Sequence, residues 1–424
     1  MEGALSGAGR PDLSAGLLPA EPMTRGPARI EAGTRAFRDT NLAMFAAGFA
    51  TFVLLYCVQP LMPVFAGEFG ISPAMSSLTV SLTTAALSVT IVVAGTLSES
   101  LGRKPIMSLS LAASAALTLC SAVADSFEQL LLLRLLMGVA LSGVPSVALA
   151  YLGEEIATRS VGLAIGLFIG GSALGGMSGR FLCAALTDLG GWRLGLAGVG
   201  AVSALCAAIF WVALPQSRHF RPRPLRLRRT LSSIGGSLAD PGLRWLCVCG
   251  FLLMGSFVTV YNYVGFRLQA PPYGFSQTQI GALFSVYVLG MLASTWTGSL
   301  ADRFGRRTML GSSIALLLAG VELTRAEPAA LIVLGVAVVT IGFFGAHAVC
   351  SAWVQQRAST AKAEAASLYL FCYYVGSSVV GSLSGMVYQA WGWPGIADLL
   401  TILQAIGLAI ALRLSFLPPS REHR

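Results

Sequence analysis

Residues Gly95–Lys104 read GTLSESLGRK, and Gly298–Arg307 read GSLADRFGRR. Both fit G-x-L-x-[DE]-x-x-G-R-[KR] and lie 203 residues apart, about half the length of the 424-residue chain. A pattern that returns at such a distance points to two copies of one unit. Gly102 and Gly305 suit a tight turn, while Gly95 and Gly298 remove a side chain where helices cross. The acids Glu99 and Asp302 lie close to Arg103/Lys104 and Arg306/Arg307. The spacing predicts an ion pair at a membrane edge that forms in one conformation and breaks in another, as a gate requires. The plainer reading is a short, positively charged turn; recurrence at matching positions favours the gate.

The runs on either side of each copy are apolar. Of all residues 55% are hydrophobic and 11% charged, whereas a soluble domain carries about 25% charged residues; mean hydropathy is +0.74. A bilayer core needs about 20 apolar residues per spanning helix. Segments of that length run at 41–66, 75–98, 105–124, 129–151, 161–183 and 193–214, then at 244–266, 277–300, 308–324, 329–353, 364–388 and 395–415. The expected fold is therefore an all-α membrane protein of twelve transmembrane helices in two six-helix bundles, 41–214 and 244–415. A basic cytoplasmic linker (215–243) joins them, with a disordered cytoplasmic tail at 1–40 and a short tail at 416–424. The first tail is rich in Gly, Ala and Pro and has no apolar h-region, so it does not read as a signal peptide.

Basic residues fix the expected orientation. Without the linker, the loops after even-numbered helices hold Arg103, Lys104, Arg159, Arg303, Arg306, Arg307, Arg357 and Lys362, against only Arg193, Arg267 and Arg325 on the other side. The positive-inside rule then places both termini and the linker in the cytoplasm. The linker's RHFRPRPLRLRR also suits anionic lipid headgroups. The net charge of +9 is thus read as orientation rather than as nucleic-acid binding. Eight Cys lie in apolar runs without a CxxC pair, and three His cannot form an HExxH site, so no disulfide, metal or cofactor is expected.

A second internal match pairs Gly170, Ser172, Gly175, Ser178 and Gly179 of helix 5 with Gly376, Ser378, Gly381, Ser384 and Gly385 of helix 11, at an offset of 206. Two matches in nearly one register describe a parallel repeat about an axis along the membrane normal. The decapeptide resembles the signature between helices 2 and 3 of the major facilitator superfamily, and the resemblance covers about 41–415. Arg134–Gly138 (RLLMG) is similar to that superfamily's RxxQG element, with Met137 in the Gln position. GLFIGGSALGG (Gly166–Gly176) is similar to the glycine-rich motif of its antiporter branches, but Gly171 stands where those have Pro. NLAMFAAGFATFVLLYCVQPLMP (41–63), YNYVGFRL (261–268) and GFFGAHAVCSAWV (342–354) resemble the YnfM-type bacterial inner-membrane transporters, regarded as efflux carriers of sugars or toxic compounds.

Ionisable groups inside a membrane are costly and mark function by default. Arg134 lies deep in LLLLRLLMGV, about 9 Å along the helix from Glu128 at the helical rise of about 1.5 Å. Arg180 closes GGMSGR in helix 5. Neither recurs in the other half, which favours a substrate or coupling role; the alternatives are a tie to backbone carbonyls for Arg134 and snorkelling for Arg180. His347 in helix 10 reads as a helix–helix hydrogen bond or a protonation site. Because the resemblance implies a cavity lined by helices 1, 4, 7 and 10, Tyr56, Gln59, Arg134, Arg180, Tyr261, Asn262, Tyr263, His347, Tyr369 and Tyr373 are its expected lining. Tyr263 can also serve as an interfacial anchor. The acids nearest the core are Glu68, Glu154, Glu155 and Glu322. No carboxylate is expected in the cavity, which disfavours a cationic drug as cargo.

The sequence thus predicts a monomeric secondary carrier, not an enzyme, exporting a neutral or anionic sugar-like or toxic compound against protons. Uptake or uniport of an organic metabolite is the second reading, and a membrane sensor or intramembrane enzyme the third. No GxxxxGK[ST] is present to bind a nucleotide.

Overall fold

The computed structural model describes residues 29–220, 222, 238–358 and 362–417. Most of the expected N-terminal tail and linker, and the end of the C-terminal tail, lie outside these residues. Twelve helices make up the described chain: α1 (Arg35–Glu68), α2 (Pro73–Leu101), α3 (Arg103–Ser121), α4 (Phe127–Glu155), α5 (161–189), α6 (192–213), α7 (Pro241–Gln269), α8 (Gln277–Phe304), α9 (Arg306–Leu323), α10 (Ala329–Arg357), α11 (362–391) and α12 (393–415). Helix is the only spanning element that satisfies its backbone within a single segment in lipid. Among the described residues, nine helical runs are long and apolar enough to cross a membrane. The two longest fold back on themselves, at Gly190–Gly191 and at Gly392, where φ is +80° for Gly191 and +60° for Gly392. These two hairpins, with the 18-residue α9, bring the number to twelve.

Side-chain caps set several helix starts. Thr34 accepts from the N–H of Phe37, Ser72 from Met75, Ser126 from Gln129 and Asp240 from Leu243, and Ser276 and Gln279 form a reciprocal capping box. Each cap satisfies first-turn donors that have no partner inside the helix. Thr34 is why α1 starts at Arg35 rather than near 41. Both decapeptide turns are alike: Gly102 has φ +100° and Gly305 φ +85°, a region that a side chain rarely tolerates.

Glycine also sets the packing within each half. A Cβ on Gly175 would lie 2.1 Å from the carbonyl oxygen of Phe49, and one on Gly376 would lie 2.2 Å from that of Phe251, so α5 lies against α1 as α11 lies against α7. These equivalent contacts pair Gly175 with Gly376, an offset of 201. The sequence match at 206 is therefore out of register by five residues. Glycines recur about every helical turn on this face, so a pattern match can slide along it. The corrected register sets Arg180 opposite Gly381. It also reverses one contact: Gly179 meets Val53 in the first half, and Val380 meets Gly255 in the second.

The start of α1, the end of α6, the start of α7 and the end of α12 share one end of the molecule, here the linker end. Large apolar side chains such as Val123, Leu109 and Val212 lie exposed on the outer surface. Apolar exposure on this scale suits lipid rather than water.

Candidate functional site

The site grows from a break in α1. Pro60 has no N–H to give, so the helix stops at Tyr56 and resumes through a 3₁₀ turn, Gln59–Leu61. Cys57 N–H reaches the carbonyl of Val53 at 3.0 Å, and the next two carbonyls are met by Arg134 of α4. Its Nη1 donates to Leu54 O at 3.0 Å and its Nη2 to Leu55 O at 2.8 Å, while Nε donates to Thr79 O of α2 at 2.8 Å. Arg134 is 1% exposed. The expectation that it lines the cavity is corrected: its donors are turned into the wall, where they tie α1, α2 and α4 together. Met137, in the position of the superfamily's Gln, lies with its sulfur 3.3 Å from Nη1.

Arg180 of α5 is also buried, at 2% exposure, so it does not snorkel. Its guanidinium carbon lies 4.5 Å from the ring centre of Tyr56, 4.7 Å from Phe284 and 5.0 Å from Tyr287. The last two rings belong to α8, in the other half. Negative ring faces stabilise the charge in place of a carboxylate. Nε donates to Gln59 Oε1 at 2.8 Å, and Gln59 Nε2 donates to Asn262 Oδ1 of α7 at 2.7 Å. The chemistry fixes this direction: Arg only donates, so the Gln oxygen must face it, and the Gln nitrogen is left for the Asn oxygen. Among the described residues, Asn262 Nδ2 then points toward Gly381 without a partner, as does Ser81 Oγ nearby.

Further contacts join the halves around this chain and away from the linker. Thr84 Oγ1 and Ser378 Oγ are 2.7 Å apart. Asp188 at the end of α5 accepts from the N–H of Gln277 and Thr278 and from the Thr278 hydroxyl, at 2.6–3.2 Å, which places a carboxylate on the first turn of α8. Ala74 packs onto Gly385, and Ala184 onto Gly281. Toward the linker the halves part: a Cβ on Gly166, Gly170 or Gly298 would meet nothing within 4 Å.

Between the open end and this seal lies an aromatic patch from the second half. His347 Nδ1 and Tyr369 Oη are 2.9 Å apart, with the rings of Tyr373 at 4.7 Å and Phe343 at 5.9 Å. Tyr261 Oη meets Thr340 Oγ1 at 2.7 Å. Tyr263 points elsewhere: it is fully buried, donates to Gly381 O at 2.7 Å and stacks on Tyr388. It is therefore neither an interfacial anchor nor a cavity residue. Sequence reasoning missed Phe257, Phe284, Tyr287, Phe343 and Phe344, whose rings fill this region. Aromatics in an apolar run carry no signal until a cation is found among them. The observed surface belongs to α1, α5, α7, α8, α10 and α11.

The decapeptides act differently from expectation. Among the described residues, Glu99 and Asp302 form no ion pair. Gly102 ends α2 and turns the chain, so Arg103 opens α3 and reaches Glu154 at the end of α4, at 2.7 Å. In the second half Gln356 stands 202 residues beyond Glu154, and no ion pair forms with Arg306 among the described residues. The last base of each motif grips the carbonyl that ends its half: Lys104 donates to Leu214 O and Arg307 to Ser415 O. The other acids near the core are also partnered at bundle ends: Glu68 with Arg193, Glu155 with His219, and Glu322 with Arg325.

Two repeated six-helix halves, sealed at one end and parted at the other around a buried polar and aromatic centre, define a membrane carrier. The chain belongs to the major facilitator superfamily, whose profile matches residues 44–270 and 269–424. It is 44% identical over 379 residues to the MFS-type transporter YybF of Bacillus subtilis (strain 168), covering 89% of this chain and 94% of that one. It is 42% identical over 385 residues to the inner membrane transport protein YnfM of Escherichia coli (strain K12), covering 91% and 92%. A bacterial homolog of the human lysosomal transporter Spinster, solved inward-facing and occupied, superposes with a TM-score of 0.76 at 16% identity, covering 90% of this chain and 97% of that one. The protein is a membrane transporter and not an enzyme.

Proposed function

We propose that the protein is a secondary active carrier of the bacterial inner membrane that exports a neutral or anionic small molecule, sugar-like or toxic to the cell, against proton entry. The observation that carries this reading is the Arg180 site: a buried guanidinium held by three rings and Gln59, with no carboxylate beside it among the described residues. A cationic cargo would meet a positive charge there that ring faces stabilise but do not neutralise, whereas an anion or a hydroxyl-rich neutral molecule finds donors. The excess of basic residues supports a cytoplasmic linker end and cytoplasmic termini. The conformation is then open to the cytoplasm, with Gln59, Asn262, Arg180 and Asp188 sealing the outer side.

Transport follows from exchanging that seal for one at the linker end, where Glu99 and Asp302 stand without ion-pair partners among the described residues. His347, half-buried against Tyr369, is the side chain in the patch suited to carry a proton. The test is flux of radiolabelled sugars and organic acids in proteoliposomes under an imposed pH gradient. Accumulation driven by the gradient is expected; flux that ignores it removes the proton. Direction is read in a deletion strain, where export predicts higher cell content of the compound and uptake predicts lower.

A further inference from the structure

The Arg180 site holds more hydrogen-bonding groups than the protein itself uses. Nε is spent on Gln59 and Nη1 on the Gly176 carbonyl, while among the described residues Nη2 meets no partner. The hydroxyls of Tyr56, Tyr287, Tyr373 and Tyr374 also have no partner among the described residues, and neither they nor Nη2 are among the polar atoms that protein fully encloses. A buried phenol normally finds a partner, so four open ones together mark a binding surface. They converge: Tyr56 and Tyr373 each interact electrostatically with Arg180, Tyr287 and Tyr374. Tyr56 stands on α1, Tyr287 on α8 and Tyr373 on α11, so both halves contribute. Beside them, the rings of Tyr373 and His347 lie 4.7 Å apart and only half-buried. The amides nearby are committed instead. Gln59 uses its oxygen on Arg180 and its nitrogen on Asn262, and the Asn262 nitrogen is enclosed.

We propose that the cargo is an aromatic carboxylate, with its carboxylate on Arg180 Nη2 and the surrounding tyrosine hydroxyls and its ring against Tyr373 and His347. This rests on the reading of the cargo as neutral or anionic and narrows it; it does not depend on direction or coupling ion. An ionised carboxylate only accepts, which matches a guanidinium nitrogen and a set of hydroxyl donors, and bonds between charged partners are the stronger kind. It also neutralises a cation that the rings merely stabilise. A flat ring adds stacking on Tyr373 that a saturated ring lacks. A sugar acid would meet the cation but carries no flat face, and the amides that would read its many hydroxyls are already taken.

The test is isothermal titration calorimetry of the full chain in a neutral detergent with benzoate, benzamide, cyclohexanecarboxylate, glucuronate and benzylammonium. Benzoate is expected to bind about tenfold or more tightly than benzamide, the worth of hydrogen bonds to a charged group. It should exceed cyclohexanecarboxylate by about two- to tenfold, the worth of one aromatic pair. Arg180→Gln should erase the preference for benzoate over benzamide. Tyr373→Leu should narrow the preference for benzoate over cyclohexanecarboxylate, and it decides the matter if Arg180→Gln does not fold. Absence of benzoate binding, a benzamide or cyclohexanecarboxylate that binds as tightly, or a ring preference unchanged in Tyr373→Leu would each overturn the proposal. Glucuronate binding more tightly than benzoate would overturn it and leave the broader reading standing; benzylammonium binding more tightly than every acid would overturn both.

Discussion

Arg134→Gln tests whether a buried charge in a carrier is a ligand or a structural tie. The substitution removes three hydrogen bonds of 2.8–3.0 Å to the carbonyls of Leu54, Leu55 and Thr79. Thr79 O keeps the Thr83 hydroxyl at 3.1 Å, and a glutamine amide can serve one of the other two carbonyls, so one carbonyl of the α1 break loses its nitrogen donor in a dry interior. Each buried orphan costs about 1–3 kcal/mol, although polar contacts inside membranes average nearer 0.6 kcal/mol. The expected loss is therefore about 1–3 kcal/mol, concentrated where Pro60 breaks α1. Denaturant unfolding of the purified protein in micelles should show that loss together with reduced transport. Arg134→Lys should recover little, since one ammonium cannot reproduce the planar fork. Unchanged unfolding with abolished transport would refute the tie and return Arg134 to the cavity.

Other consequences follow from packing and charge. Gly175→Ala places a Cβ 2.1 Å from Phe49 O and should cost about 1–3 kcal/mol in the same unfolding assay, whereas Gly166→Ala, with open space above it, should be neutral. Replacing Phe284 and Tyr287 by Leu removes two ring faces from Arg180, each worth about 1–2 kcal/mol when desolvated. Spin labels at Asp125 and Glu327, both exposed at the end away from the linker, should then report a larger open population there; an unchanged distance distribution counts against the seal. At the linker end, burial alone would raise the Asp240 carboxyl, but Arg357 at 2.7 Å and the Leu243 N–H outweigh it and hold it below the usual carboxylate range. A carboxyl depressed by folding gives stability above its unfolded pKa of about 3.9, lost as pH falls through the folded value. Wild-type thermal stability should drop below about pH 4 more steeply than that of Asp240→Asn; parallel curves would remove this pair from acid unfolding.

Much of the fold was legible because membrane burial writes itself into long apolar runs, and the duplicated decapeptide divides twelve of them into two halves. Gly102 and Gly305 were readable as turns because only a residue without a side chain suits their positive φ. Gln59 and Asn262 could be marked as polar residues in apolar helices, but their mutual hydrogen bond depends on how two halves dock. The decapeptide acids could not be placed by spacing alone, because Gly102 redirects Arg103 to Glu154, 51 residues away. Arg134 and Arg180 look alike in sequence. One faces the carbonyls freed by a proline on another helix, and the other faces rings supplied by the opposite half.

The most direct test of rocking about the central site is a paired distance measurement by pulsed electron resonance in lipid nanodiscs. One pair of labels sits at Asp125 and Glu327, and a second at Thr158 and Thr308 beside the linker, all at exposed positions. The account predicts a major population that is short at Asp125–Glu327 and long at Thr158–Thr308. A minor population should reverse both distances together and grow or shrink with pH or cargo. Ends that widen together, or a linker-end distance that changes while the other stays fixed under every condition, would contradict it.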